Sequence, residues 1–282
     1  MNSTISSPVS CVPLITDAQL PSNACRRLFI LGSGRSGTSL LAGLFRQTGL
    51  FMGASAYLAS PSNPTGYYED REINSINEEL VRSELPKYTL TNDLYSNGWD
   101  CPSSYGQCWL ARLPLAASFS TSAEINKRID QIFSRGPTCL KDPRLNYTLQ
   151  AWLSRIEVSQ MNSMACICIF RHPSVVVESI LREVRTAAYL RSFAISVKQA
   201  YDCWLLQYSH ILRLHANSGR WLFVEYDELL QDSGLYKVEQ FTGLQVDRTL
   251  PRSDLNRSKP SSTAPQNAVD IYQELMSRSS SS

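Results

Sequence analysis

A glycine-rich turn near the start of the chain carries the side chains whose types and spacing best predict chemistry. The apolar segment RLFIL runs into GSGRSGTS at positions 32–39, where a helical pattern begins. Glycines let the backbone turn tightly and approach a ligand closely. Backbone N–H groups at a helix start, an arginine fork and three hydroxyls favour a bound anion. In a turn that binds no ligand, an arginine and three hydroxyls would contribute little to packing. The predicted ligands are Gly34, Arg35, Ser36, Gly37, Thr38 and Ser39.

This turn departs from the loop that binds nucleoside triphosphates. In the template G-x-x-x-x-G-K-[ST], the lysine reaches the outer phosphates. Gly32 and Gly37 match the two glycines and Ser39 the last position, but Thr38 stands where the lysine belongs. The departure argues against hydrolysis of ATP or GTP. A P-loop nucleotide kinase or ATPase is kept as an alternative function.

A second cation lies far downstream, at the end of another apolar segment. Arg171 follows CICIF at positions 166–170, and Ser179 lies eight residues after the arginine. Pro173 suits the first turn of a helix that starts between them. A charge-assisted hydrogen bond from such an arginine contributes about 1.5–3 kcal/mol. Alone, Arg171 is more typical of a surface arginine, so the prediction depends on its pairing with the glycine loop.

Together the two motifs resemble those of the PAPS-dependent sulfotransferases (PAPS is 3′-phosphoadenosine 5′-phosphosulfate). Gly-x-x-Arg-Ser-Gly-Thr-Ser after a strand is similar to the family's 5′-phosphosulfate loop. Strand–Arg–x–Pro with a later serine is similar to its 3′-phosphate motif, which implies that Arg171 and Ser179 hold the 3′-phosphate. The resemblance implies transfer of a sulfuryl group to a hydroxyl or amine, release of PAP (adenosine 3′,5′-bisphosphate), and no metal.

Two further residues resemble family positions more weakly. Arg257, in LNRSKP at positions 255–260, is similar to the basic loop that closes over the 3′-phosphate. Tyr226, after the last apolar segment, is similar to an aromatic residue near the adenine. A solvated loop cation and a core tyrosine explain these two residues about equally well.

The acceptor side is expected near NPTGYYEDRE, at positions 63–72, which resembles the Pro-x-Gly-Tyr-x-Glu segment of bacterial-type sulfotransferases. The resemblance implies a carboxylate base, because a neutral hydroxyl is a poor nucleophile and a positioned base accelerates its attack. Glu69 is the first candidate and Asp70 the second. Either residue could instead cap the helix that follows.

Lys141 and Arg35 complete the expected catalytic set. Lys141, in LKDPR, is expected to stabilise charge that moves toward the leaving phosphate. An ordinary ion pair with Asp142 is the alternative for this lysine. Pro143 stands near the place where other branches of the family have a histidine, which argues against a histidine base there.

Short apolar segments bounded by turn residues alternate with helical patterns along the chain. The segments are almost entirely apolar, as in parallel strands covered on both faces. This order predicts one α/β domain of three layers, a mostly parallel sheet flanked by helices. The resemblance implies a fold like that of the P-loop nucleotide hydrolases. The predicted strands are Arg27–Leu31, Thr138–Leu140, Ala165–Phe170 and Trp221–Val224. The predicted helices are Thr38–Gln47, Asp70–Arg82, Ala123–Phe133, Asn146–Ile156, Ser174–Arg185, Phe193–His215 and Asn267–Met276.

Charge and hydropathy exclude some classes of function. A formal net charge of +2 is too small to indicate bulk nucleic-acid binding. No apolar run approaches the roughly 20 residues of a membrane span, and no secretory signal is recognisable, so we expect a cytoplasmic protein. Residues 1–24 are expected to be a flexible segment, 25–277 the sulfotransferase domain and 278–282 a disordered serine-rich tail.

The sequence does not name the acceptor. Positions 84–123 match no motif, although they are expected to form much of the acceptor pocket. A small molecule, a glycan or a lipid-like alcohol would each fit. The oligomeric state and the pairing of Cys101 with Cys108 are left open. A catalytically inactive PAP-binding protein is kept as the second alternative.

Overall fold

The centre of the protein is a four-stranded parallel sheet. The computed structural model describes residues 20–57, 66–89, 106–191, 193–251 and 263–281. All described strand pairs are parallel, and the order is β2-β1-β3-β4. The strands are β1 (Arg27–Leu31), β2 (Thr138–Lys141), β3 (Met164–Phe170) and β4 (Trp221–Glu225). The predicted α/β class is confirmed, and β1 has its predicted bounds.

Within the described part of the chain, eight helices of seven or more residues surround this sheet. They are α1 (Thr38–Leu44), α2 (Arg71–Glu84), α3 (Ala123–Phe133), α4 (Leu145–Leu153), α5 (Pro173–Thr186), α6 (Val197–His210), α7 (Asp232–Thr242) and α8 (Gln266–Ser280). Helix α3 has its predicted bounds, because Ser122 caps it by accepting a hydrogen bond from the Ile125 N–H. None of these described helices is both long enough and apolar enough to cross a membrane.

Side chains of each central strand point alternately into two separate apolar clusters. In β1, Phe29 and Leu31 pack in the cluster with helices α2 to α6 and α8. Leu28 and Ile30 pack on the other face, with α1 and α7. All four side chains are fully buried. The sheet is therefore the middle of three layers, as its continuous apolar strands predicted.

The long helix predicted over Phe193–His215 ends at its predicted residue, but its start is wrong. It begins only after Ser196, whose side chain accepts from the Gln199 N–H while the Gln199 side chain accepts from the Ser196 N–H. This capping box fixes the start of the helix at Ser196. Downstream, α6 turns into a π-helix over Ile211–His215.

Both ends of the described chain extend further into the fold than predicted. Leu20 and Ala24, assigned to a flexible segment, are buried, and the next residue, Cys25, donates its N–H to the Thr242 carbonyl at 2.8 Å. Helix α8 continues to Ser280, so the first residues of the predicted serine-rich tail are helical. The reason is packing, since Ser279 is buried against α7 and the turn before it.

Candidate active site

The carboxyl ends of the four strands meet at one edge of the sheet. Residues 32–37 follow β1, Lys141 is the last residue of β2, Arg171 follows β3 and Tyr226 follows β4. Ligands of open parallel sheets bind in the crevice at this edge. The fold therefore brings motifs from distant parts of the sequence to the same side of the molecule.

Two buried side chains hold the glycine loop from behind. Asn146, on α4, donates from Nδ2 to the Gly32 carbonyl and accepts from the Gly32 N–H at Oδ1, both at 2.9 Å. The Tyr208 hydroxyl, on α6, accepts from the Ser33 N–H at 3.2 Å and lies 2.9 Å from Ser36 Oγ. Burial raises the pKa of Tyr208, which keeps its proton available for donation. The protein's own side chains thus fix the conformation of the loop.

Aromatic rings lie against two glycines of the loop. A Cβ on Gly34 would lie 2.6 Å from the Trp109 ring, and a Cβ on Gly37 would collide with the Tyr226 ring. Gly37 also has a φ of 98°, a conformation that side chains disfavour. The Arg171 guanidinium lies over the Tyr226 ring, 4.3 Å from its centroid. Tyr226 thereby connects the arginine at the end of β3 to the loop.

Arg35 connects the two predicted anion motifs directly. Its Nε donates to Ser179 Oγ at 3.0 Å, although the two residues are 144 positions apart. Its Nη1 lies 3.6 Å from the Glu183 carboxylate, one turn further along α5. Arg35 has a φ of 74°, a region uncommon for residues other than glycine. The loop thus aims this side chain at α5.

A buried lysine and a glutamate approach the loop at Ser39. Lys141 Nζ lies 2.5 Å from Glu69 Oε1 and donates to Ser39 Oγ at 3.1 Å. Asn74 Nδ2 donates to the second Glu69 oxygen at 2.8 Å. Lys141 forms its ion pair with Glu69, and not with Asp142 as the alternative proposed. Two of the three predicted catalytic residues therefore form one pair beside a predicted ligand.

Asp70, the second candidate base, is the N-cap of α2. Its Oδ1 accepts from the N–H groups of Glu72 and Ile73, and its Oδ2 accepts from the Ser55 N–H at 2.7 Å. Both carboxylate oxygens are used and the side chain is buried. These contacts explain Asp70 as a cap, so Glu69 is the stronger candidate base.

A buried ion network supports the segment that carries Trp109. Arg144 donates to Asp142 Oδ1 at 2.9 Å and to Glu78 Oε2 at 2.6 Å. The Gly106 N–H donates to the other oxygen of Glu78 at 2.8 Å. Burial raises the pKa of Asp142, and the neighbouring Arg144 charge opposes that rise. Removal of one partner would leave a buried charge uncompensated, which is costly. The network therefore holds this segment against α2 and the end of β2.

Two further predicted ligands in the loop are buried. Ser36 is buried with its hydroxyl against Tyr208, and Thr38 is buried at the start of α1. Arg257 lies outside the described residues, and so does Cys101. Cys108 is a buried free thiol.

All three histidines of the chain have contacts that suit a structural role. His172 Nδ1 lies 2.9 Å from Ser174 Oγ, and His215 Nε2 lies 3.0 Å from the Asn146 carbonyl. His210 Nε2 contacts two backbone carbonyls. Burial lowers the pKa of each ring, that of His215 to about 4. Within the described ranges, no group of three or more His, Cys, Asp or Glu side chains could hold a metal ion.

Four residues that position the site were not among the sequence predictions: Asn146, Tyr208, Trp109 and Glu183. Asn146 and Tyr208 contact loop residues more than 100 positions away, so the sequence carried no local signal for them. Glu183 is different. It lies four residues after Ser179 on a predicted helix, and this spacing alone places the two on one helix face.

Comparison with known proteins gives one distant similarity. No protein-family model matches the chain, and no curated protein matches it. A solved structure, "Sulfotransferase Domain from the Curacin Biosynthetic Pathway", is similar with a TM-score of 0.48 and 14% identity. The match covers 89% of this chain and 97% of that chain. Because both the identity and the TM-score are low, we infer neither a family nor an activity from this similarity.

Proposed function

We propose that the protein is a sulfotransferase that transfers a sulfuryl group from PAPS to a hydroxyl or amine and releases PAP. The observation that carries the proposal is the 3.0 Å hydrogen bond between Arg35 of the glycine loop and Ser179 of the downstream motif. A nucleotide with a 5′-phosphosulfate and a 3′-phosphate needs two anion-binding motifs within its own length. The direct contact between the two motifs is what such a nucleotide requires.

Backbone donors of the loop suit the 5′-phosphosulfate. Among the described residues, none accepts a hydrogen bond from the N–H of Gly34, Gly37 or Thr38, and no side chain caps α1. Donors held in a largely buried loop are costly to leave without an acceptor. An anionic group would satisfy them. We assign the 5′-phosphosulfate to this loop and the 3′-phosphate to Ser179 and Arg171.

The ring of Tyr226 suits the nucleoside part of the same ligand. It packs on Gly37, lies under the Arg171 guanidinium and keeps part of its surface exposed. An aromatic face beside a phosphate-binding arginine favours contact with the adenine base. Arg257 is retained as a further ligand of the 3′-phosphate on the resemblance alone.

Glu69 and Lys141 are assigned to proton transfer and charge stabilisation. PAPS supplies a sulfuryl group that is activated by its anhydride bond to phosphate. Glu69 accepts the proton that the acceptor hydroxyl or amine loses as its bond to sulfur forms. Lys141, 3.1 Å from Ser39, holds a positive charge beside the loop where negative charge grows on the leaving phosphate. Arg35 adds a second cation on the side of α5.

The first experiment compares nucleotides as stabilising ligands. PAP should raise the melting temperature of the protein, because a ligand that binds only the folded state stabilises it. ATP with Mg²⁺ should not do so, and a larger shift with ATP would favour the kinase alternative. Release of PAP from PAPS with a panel of hydroxyl and amine acceptors then separates an enzyme from an inactive PAP-binding protein.

The assignment of the two anion motifs predicts the effect of removing each arginine. Arg35→Ala and Arg171→Ala should each weaken PAP binding about ten- to a hundredfold, which corresponds to the loss of a charge-assisted hydrogen bond. Isothermal titration calorimetry measures this change. Arg155→Ala is the matched control, because Arg155 pairs with Asp130 on the surface away from the strand ends. Wild-type affinity in either variant would remove that site from the proposal.

A further inference from the structure

The contact between Arg35 and α5 includes an acid as well as a serine. Ser179 and Glu183 are one helical turn apart and both face the same guanidinium, at 3.0 Å and 3.6 Å. The Glu183 side chain is only 5% exposed, whereas that of Arg35 is 24% exposed. A buried carboxylate thus stands directly behind the cation that is assigned to an anionic ligand.

We propose that Glu183 is a positioning residue that holds Arg35 against α5 and competes with the donor's phosphosulfate for its charge. The inference rests on the proposed function, since it concerns the same arginine. Like charges that share one site disfavour each other. A separation of 3.6 Å also exceeds the 2.7–2.9 Å typical of charge-assisted hydrogen bonds. The guanidinium can therefore turn toward an incoming anion while Ser179 still accepts from its Nε.

This arrangement sets affinity and does not take part in the chemical step. PAPS and PAP both place a 5′-phosphate at the loop, so Glu183 lowers the affinity for both. Binding energy that substrate and transition state share alters KM and leaves the rate of the chemical step unchanged. Weaker retention of PAP also speeds product release. Glu183 is thus expected to weaken donor binding and to speed the return to the free enzyme.

The test is a neutral substitution of nearly the same shape. Glu183→Gln should bind PAP about three- to tenfold more tightly than the wild type, since a competing charge at a partly buried ion pair is removed. Inorganic pyrophosphate should show the same gain, because it carries the charges without the nucleoside. Glu79→Gln is the matched control. It removes one carboxylate from the ion pair with Arg128, between α2 and α3, and should leave both affinities unchanged.

A double-mutant cycle separates competition for Arg35 from a general structural effect. With Arg35→Ala as background, Glu183→Gln should no longer change the affinity for either ligand. Glu183→Asp, which draws the carboxylate away by one methylene group, should show a smaller gain and serves if the glutamine variant does not fold. Unchanged or weaker binding of both ligands in the Glu183 variants, or a gain that persists without Arg35, would overturn the inference. If the Glu183 variants bind pyrophosphate more tightly but the protein does not bind PAP, the proposed function is contradicted and the inference stands.

Discussion

The charge missing from the glycine loop is supplied from the neighbouring strand. Triphosphate-binding loops carry a lysine at the position of Thr38. Here Lys141, at the end of β2, donates from Nζ to Ser39, the next residue along the loop. Its side chain is 2% exposed, so the cation is held within the protein and is directed at the loop. The cation beside the loop thus comes from a different strand.

Glu69→Gln tests the assignment of the base. The amide cannot take a proton from the acceptor, so turnover should fall about 10²- to 10⁴-fold. PAP binding should not weaken, because the substitution removes no positive charge. Turnover is measured as PAP release with any acceptor that the wild type uses, and affinity by calorimetry.

Glu72→Gln is the control for this substitution. It changes a carboxylate three residues away that pairs with Arg128 on the outside of α2, and it should keep wild-type turnover. Full activity of Glu69→Gln would end the role of Glu69 as base.

Residue types at strand ends could be predicted from the sequence, whereas their partners could not. Lys141 and Arg171 each follow an apolar segment, and an apolar segment before a cation is a local signal. The contact of Arg35 with Ser179 needs the approach of β1 and β3, which no local pattern encodes. Asp70 shows the opposite case, because its role as a cap was one of two interpretations that the sequence alone allowed.

Helices and strands were predictable wherever an apolar period and an end signal coincide. Helix α3 has both, since Ser122 precedes a regular apolar face. The start of α6 was missed although Ser196 and Gln199 carry the capping-box signal, because apolar residues before Ser196 prolonged the helical pattern. The π-helix after α6 has no comparable signal in the sequence.

The close packing of the loop predicts unequal costs for alanine at two glycines. Gly37 has a φ of 98° and Gly136 a φ of 106°, so both alanine variants lose about 1–2 kcal/mol from backbone strain. Only Gly37→Ala also meets a ring, that of Tyr226, whereas a Cβ on Gly136 has nothing within 4 Å. Gly37→Ala should therefore unfold at clearly lower urea concentration and lose PAP affinity, and Gly136→Ala should keep that affinity. Equal unfolding free energies would contradict this packing.

A chain of contacts couples the loop to the core of the whole molecule. His215 contacts the Asn146 carbonyl, and Asn146 holds the Gly32 peptide through both polar atoms of its side chain. The neutral imidazole donates from Nε2 to that carbonyl. Proton uptake at the other ring nitrogen would put a charge in a buried place. Stability and loop geometry are therefore linked through one histidine.

The pKa of His215 predicts how stability varies with pH. Burial lowers this pKa to about 4, below the value near 6.5 of an unfolded histidine. The unfolded chain takes up the proton first, so the contribution to stability is fully present above about pH 6.5. It is lost progressively as the pH falls toward 4. Between pH 7 and pH 5 the wild type should lose about 1–2 kcal/mol more than His215→Gln in urea unfolding.

His172→Gln is the comparison for this experiment. The pKa of His172 is also lowered by burial, but its ring is partly exposed and the shift is smaller. That variant should keep most of the wild-type pH dependence. The same pH dependence in His215→Gln and the wild type would show that His215 is not the group responsible.

The π-helix that ends α6 has a consequence for how this chain can change in evolution. The Ala216 N–H donates to the Ile211 carbonyl at 2.8 Å, five residues back, which inserts an extra residue into the turn that presents His215. Each helical residue turns the direction of its side chain by about 100°. Loss of a single codon from this stretch would swing the imidazole away from Asn146. Related sequences should therefore tolerate substitutions along this helix more readily than insertions or deletions.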